Sequence, residues 1–185
     1  MNEREIRAVY DDTTITVYQA YNEHIASIAI RNQTFAPPFK MDRMTWIKPS
    51  FLWMMYRSGW ATKQNQEHVL AIRIKREGFD WMVANACLSH YVADSHESME
   101  AWQKELARSP VRVQWDPEKN IHLHKLDYRS IQLGLSGIAV KKYVEEWIVS
   151  IEDISERCHT IHALVNSRDM EAAMAMLPEE RIYEK

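Results

Sequence analysis

The stretch "VRVQWDPEKNIHLHKLDYRSIQLGL" (residues 111–135) decides the fold class. Val111, Val113 and Trp115 alternate with Arg112, Gln114 and Asp116, the period-two pattern of a half-buried strand. "IHLHKL" (121–126) and "YRSIQLGL" (128–135) read as two further strands at hairpin-like spacing. Strands gathered without intervening helices argue against a doubly wound parallel sheet. They predict an α+β protein with a mixed, mostly antiparallel sheet packed by helices.

Upstream, "TTITVYQA" (13–20) is rich in β-branched residues and predicts a strand. Asn22 is placed to cap the next helix, on which Ile25, Ile28 and Ala29 share a face. The prolines of "FAPPFKMD" (35–42) impose a loop, and a short strand is expected over Thr45–Lys48. Pro49 or Ser50 then opens a short helix that Gly59 ends. "HVLAIRIK" (68–75) reads as a strand, and helices are expected over 78–88 and about 95–108, the second capped by Asp94 and Glu97. Downstream, Ser136 is expected to cap a helix through about Glu146. "EWIVSIED" (146–153) reads as a buried central strand. Two helices close the chain, one begun by Asp153 and Glu156, the other presenting Met170, Met174 and Leu177.

A chain of 185 residues suits one domain, here taken as residues 1–185. Folding a domain of this size buries roughly 70% of the unfolded surface, so no disulfide staple is required. The charged amino terminus lacks the apolar core of a secretory signal, and no apolar run has the ~20 residues of a membrane span. Cys87 and Cys158 match no redox or metal motif, which suggests a cytoplasmic location. The net charge of −3 excludes a general nucleic-acid coat protein but leaves room for a local cationic site.

That site is sought in "DRMTWIKPSFLWMMYRSGW" (42–60), where Arg43, Lys48 and Arg57 stand among large apolar side chains. Cations in such company must reach water or an anion. Lys48, Ser50 and a helix start are an arrangement that suits phosphate, and Trp46, Trp53 or Tyr18 could stack on its ring. The competing reading makes the aromatics core and lets the cations snorkel to solvent. Ser130 and Gln132 share a strand face and are added as ligand-binding candidates. Asp116 and Glu152, at strand ends, are the acid–base candidates. "YRSIQLGLSG" (128–137) has neither the glycines nor the lysine of a phosphate-loop motif. The histidines, including the pair His122 and His124 and the group His90, Asp94 and His96, match no defined zinc signature, so no metal is expected.

Four motifs taken together resemble a known family: "RAVYDDTTITVYQAYN" (7–22), "PPFKMDRMTWIKPSFLWMMYRSGWATK" (37–63), "SPVRVQWDPE" (109–118) and "YRSIQLGLSGIAVKKYVEEWIVSIEDI" (128–154). The family is bacterial and fungal and is catalogued as a domain of unknown function, family 4291. The resemblance implies a stand-alone, soluble, single-domain protein and transfers no catalytic residue. The functional expectation therefore rests on residue chemistry. It is a protein that binds a nucleotide-like or phosphate-bearing ligand, with NAD or another nucleotide open as cofactor and an RNA end open as partner. If the protein is an enzyme, group transfer of the ADP-ribosyltransferase kind fits this reading. The alternative is a non-catalytic interaction module, since interfaces also anchor on aromatics and arginine.

Overall fold

The computed structural model describes residues 3–185. Its frame is two sheets. The first has three antiparallel strands in the order β2–β4–β8, formed by Thr14–Tyr21 (β2), His68–Lys75 (β4) and Ile148–Asp153 (β8). The second has four strands in the order β3–β7–β6–β5: Thr45–Ile47 (β3), Ala86–Leu88 (β5), Val111–Lys119 (β6) and Lys125–Leu135 (β7). Among the strand pairs of the described residues only β5 against β6 is parallel, so the architecture is α+β with mixed, mostly antiparallel sheets. Short strands Arg7–Ala8 (β1) and Arg181–Ile182 (β9) pair near the two ends of the chain.

The two sheets meet at one bridge. Tyr18 N–H donates to the Lys48 carbonyl at 2.7 Å, and Lys48 N–H donates to the Tyr18 carbonyl at 3.3 Å. β3 is thereby fastened to β2, and Lys48 stands on the seam.

Alternation along the second sheet separates two faces. Ile47, Val111, Ile131, Leu133 and Leu135 are buried in the main core with Ile15, Val17, Ile72 and Ile74 from the first sheet. The other parity carries Trp46, Gly134, Gln132, Ser130, Gln114 and Asp116. Helices cover the frame: Glu23–Asn32 (α1), Phe51–Ser58 (α2), Arg76–Ala84 (α3), Met99–Arg108 (α4), Ile138–Lys142 (α5), Ser155–Asn166 (α6) and Met170–Ala175 (α7).

Several caps form as the residues predict. Asn22 accepts from Ile25 N–H, Ser50 accepts from Trp53 N–H, and Gly59 ends α2 with φ of 59°. Other boundaries differ. The helix expected over 78–88 stops at Ala84, because Ala86–Leu88 is drawn into the edge of the second sheet. Ser98, rather than Asp94, caps α4. The two strands expected over 121–135 are one long strand preceded by a turn, in which Asn120 Oδ1 accepts from the His122 and His124 N–H groups. Ser136 does not cap; its hydroxyl donates to the Pro110 carbonyl at 3.1 Å. β8 lies at a sheet edge and β4 is central, reversing the expectation for 146–153.

A π-helical turn, Tyr143–Trp147, joins α5 to β8 and drives Trp147 against α3. A Cβ on Gly78 would lie 2.5 Å from Trp147 Cγ. Gly78→Ala is expected to destabilise by ~1–3 kcal/mol through this overpacking. Urea denaturation checks it, and an unchanged midpoint would show that the indole moves aside freely.

Candidate functional site

Lys48 is 6% exposed, and its Nζ lies 5.3 Å from the centroid of the Trp53 ring. Among the described residues its ammonium makes no ion pair and no hydrogen bond. It reaches a cleft of about 360 Å³ over the seam, lined in part by Gln19, Tyr21, Arg43, Trp46 and Arg57. The rest of the lining comes from small or apolar residues and from Gln64, Asn65 and Gln66, with no carboxylate. Arg43 and Arg57 are exposed, and neither forms an ion pair among the described residues. Three positive charges therefore face one concavity whose lining holds no carboxylate; Asp116 reaches Lys48 only from outside that lining.

Burial pulls the Lys48 ammonium down to about 8, with Arg57 adding to the drop and Asp116 opposing it. A bound anion would reverse this by stabilising the charged form.

The floor and rim are held by packing. Trp46 pairs with Gly134 across β3 and β7, and a Cβ there would come within 2.8 Å of the indole and 2.9 Å of Met44 Sδ. The missing side chain lets Trp46 lie down against the sheet. Gln19 is fixed by a hydrogen-bond chain. Tyr143 Oη donates to Gln19 Oε1 at 2.7 Å, and Gln19 Nε2 donates to Tyr21 Oη at 2.9 Å.

A second cleft of about 220 Å³ adjoins the first and shares Tyr21, Arg43, Met44 and Thr45 with it. Its remaining walls are Ile25, Pro38, Phe39 and Lys40. The proline loop thus builds a second compartment with a wall of Tyr21, Ile25, Pro38 and Phe39, edged by Lys40 and Arg43.

The candidates named from sequence divide. Arg43, Trp46, Lys48 and Arg57 converge on the first cleft. Ser50 does not: its hydroxyl donates to Glu118 Oε1 at 2.8 Å, while the Phe51 N–H donates to Glu180 Oε1 at 2.7 Å. The entrance of α2 is filled by the protein's own carboxyl groups, which corrects the expectation of an anion there. Trp53 is only 8% exposed and covered by Lys48, so its face is not free for a ring. Tyr18 is buried edge-on against Phe51 and lines a different cleft, of about 340 Å³, with Arg73, Glu152 and Arg157.

Gln132 is 8% exposed and Ser130 4%, on the strand face that carries Asp116. Both Asp116 oxygens accept hydrogen bonds, at 2.9 Å from Gln114 Nε2 and at 2.6 Å from Gln132 Nε2. Gln132 thus holds the acid, Ser130 is its cross-strand neighbour, and neither lines the cleft. Asp116 and Glu152 lie in separate places and cannot act as a pair.

Tyr21 and Gln19 are the residues sequence reading passed over. Their signal was position: they end the strand that the Asn22 cap terminates.

The fold and site define a class: an α+β protein whose two sheets meet under a cation-lined cleft. The chain belongs to the family described as Domain of unknown function (DUF4291), whose model matches residues 5–183. No curated protein matches it. Among the described residues no helix is long and apolar enough to cross a membrane.

Proposed function

We propose that this protein binds a nucleotide-like, phosphate-bearing ligand across the two adjoining clefts. Arg43, Lys48 and Arg57 neutralise the phosphates, and the compartment of Tyr21, Ile25, Pro38 and Phe39 takes the ring. The observation that carries this reading is the buried Lys48 ammonium, unpartnered among the described residues and facing a cleft with two arginines and no acid. Leaving such a charge uncompensated is expensive, and a ligand anion supplies what the fold withholds.

For group transfer on a nucleotide or an RNA end, the acid–base role finds no carboxylate in the cleft lining; Asp116, held by Gln114 and Gln132 outside it, acts on the site through its field on Lys48. Glu152 drops out of this role, because it lines the other cleft.

The test is a thermal-shift panel of NAD, nucleoside mono- and diphosphates, 5′-phosphorylated RNA and inorganic pyrophosphate. A ligand at 100 times its Kd should stabilise by about 2.7 kcal/mol. The shift should vanish in Lys48→Ala and weaken in Arg43→Ala and Arg57→Ala. A flat panel with concentration-dependent self-association would instead support the interaction module.

The proton linkage gives a further check. Because the ligand prefers charged Lys48, its affinity should fall by up to about tenfold per pH unit above pH 8. Titration calorimetry at pH 7 and pH 9 reads this directly. Equal affinities would remove Lys48 from the contact.

A further inference from the structure

A second constellation lies at the far edge of the four-stranded sheet, three strands from Lys48. Cys87 on β5, His96 in the irregular segment 89–98 and Glu105 on α4 bring one donor atom each to within 4.8 Å of the others. They are a thiol, an imidazole and a carboxylate, a donor set suited to zinc.

The surroundings orient each donor. The His96 Nδ1 lies 2.9 Å from the Val92 carbonyl and 3.3 Å from the Val92 N–H, contacts that fix the ring; in the tautomer that gives Nδ1–H to the carbonyl, Nε2 is the free donor. A metal-bound histidine is held in this way, its other ring N–H given to a backbone carbonyl. Tyr91 stacks on the same ring at 5.8 Å, and Trp102 meets it edge-on at 6.4 Å. Trp102 Nε1 also donates to the Leu88 carbonyl at 2.9 Å, which holds α4 against β5. Cys87 is 1% exposed, so the sulfur is shielded at the inner end, while Glu105 is exposed at the outer end.

We propose that Cys87, His96 and Glu105 bind a divalent zinc-class ion that fastens segment 89–98 to the edge of the sheet. Zinc bonds of about 2.0–2.3 Å place tetrahedral donors roughly 3.5 Å apart. The ion therefore draws the His96 and Glu105 side chains inward by at most about 1 Å around a fixed sulfur. Three protein donors leave the fourth position to water. On binding, the thiol proton and any carboxyl proton pass to solvent, so uptake is accompanied by proton release.

The segment explains why an ion belongs here. Residues 89–98 form no helix or strand, and backbone hydrogen bonds within it are confined to the turn at Val92–His96. A single ion joining three elements replaces the ladder that this connection lacks.

The experiment uses the full chain and cobalt(II) as a spectroscopic stand-in for zinc. The chain should take up about one equivalent and show a thiolate-to-cobalt charge-transfer band. Zinc should displace the cobalt, raise the Tm and slow proteolysis within residues 89–98. The band should be lost in Cys87→Ser. Glu105→Gln, at an exposed position that does not threaten folding, should weaken affinity by at least the ~10–100-fold typical of losing an outer-shell partner. His122→Ala and His124→Ala, the other close histidine pair, should bind as the parent does. A parent chain without the band, or a band that persists in Cys87→Ser, would overturn the proposal. So would an affinity that depends on His122 or His124 and not on Glu105.

Discussion

Lys48→Met is expected to make the protein more stable and unable to bind its ligand. The methylene stem packs against Trp53, and methionine keeps that stem while removing the charge. Burial lowers the pKa from 10.5 to about 8, so the fold prefers the neutral amine. The sign follows from proton binding. Between pH 8 and 10.5 the unfolded chain holds more protons at this site than the native one. Stability from Lys48 is therefore present above pH 10.5, is lost as pH falls through 8, and stays absent at neutrality. Each pKa unit corresponds to 1.36 kcal/mol, and methionine should recover on the order of 2 kcal/mol at pH 7. For a chain of this size that is roughly 4–8 °C in Tm. The same variant should show no ligand-induced shift with any member of the phosphate panel. A group that destabilises the free protein and is required by its ligand is expected at a site. A Tm lowered by the substitution, or a ligand shift that survives it, would identify Lys48 as a packing residue.

The residues around this site show how far sequence carried and where it stopped. The β2 strand, the Asn22 cap and the Ser50–Gly59 helix were legible because their signals are local: alternation, a side-chain oxygen, a positive φ. Convergence of Arg43, Lys48 and Arg57 was legible because they lie within fifteen residues of each other, in the loop before β3, just after β3 and on a short helix. Tyr21 and Gln19 were hidden, since their role depends on the Tyr18–Lys48 bridge that joins the two sheets. Ser50 was misassigned for a related reason. Its capping role is local and was read, but Glu118 and Glu180, which fill the space in front of it, come from strand β6 and the carboxyl-terminal segment. The Cys87–His96–Glu105 group eluded the spacing rules because a parallel β5–β6 pairing folds α4 back over β5. Local chemistry is written in neighbouring residues; whether a charge is compensated depends on residues far along the chain.

Glu180 gives the second large effect, and it concerns stability against pH. Its carboxyl group caps the Phe51 N–H at the start of α2, close to the Glu118 carboxyl that accepts from Ser50 and from the Lys119 N–H. Burial pushes the Glu180 pKa from 4.5 up to about 8; the Phe51 hydrogen bond opposes the rise, and the Glu118 charge adds to it. Burial also raises Glu118. The native state thus holds a proton on Glu180 that the unfolded chain releases near pH 4.5. Stability from this group is complete below about pH 4.5 and is lost progressively as pH rises to about 8. The span corresponds to a decline on the order of 4 kcal/mol. Glu180→Gln keeps an oxygen for the Phe51 N–H and cannot ionise. It should match the parent at pH 4.5, exceed it increasingly toward pH 8, and flatten the pH dependence of the urea midpoint. If the parent shows no decline across this window, or if the glutamine variant declines in parallel with it, then Glu180 is not the group that titrates.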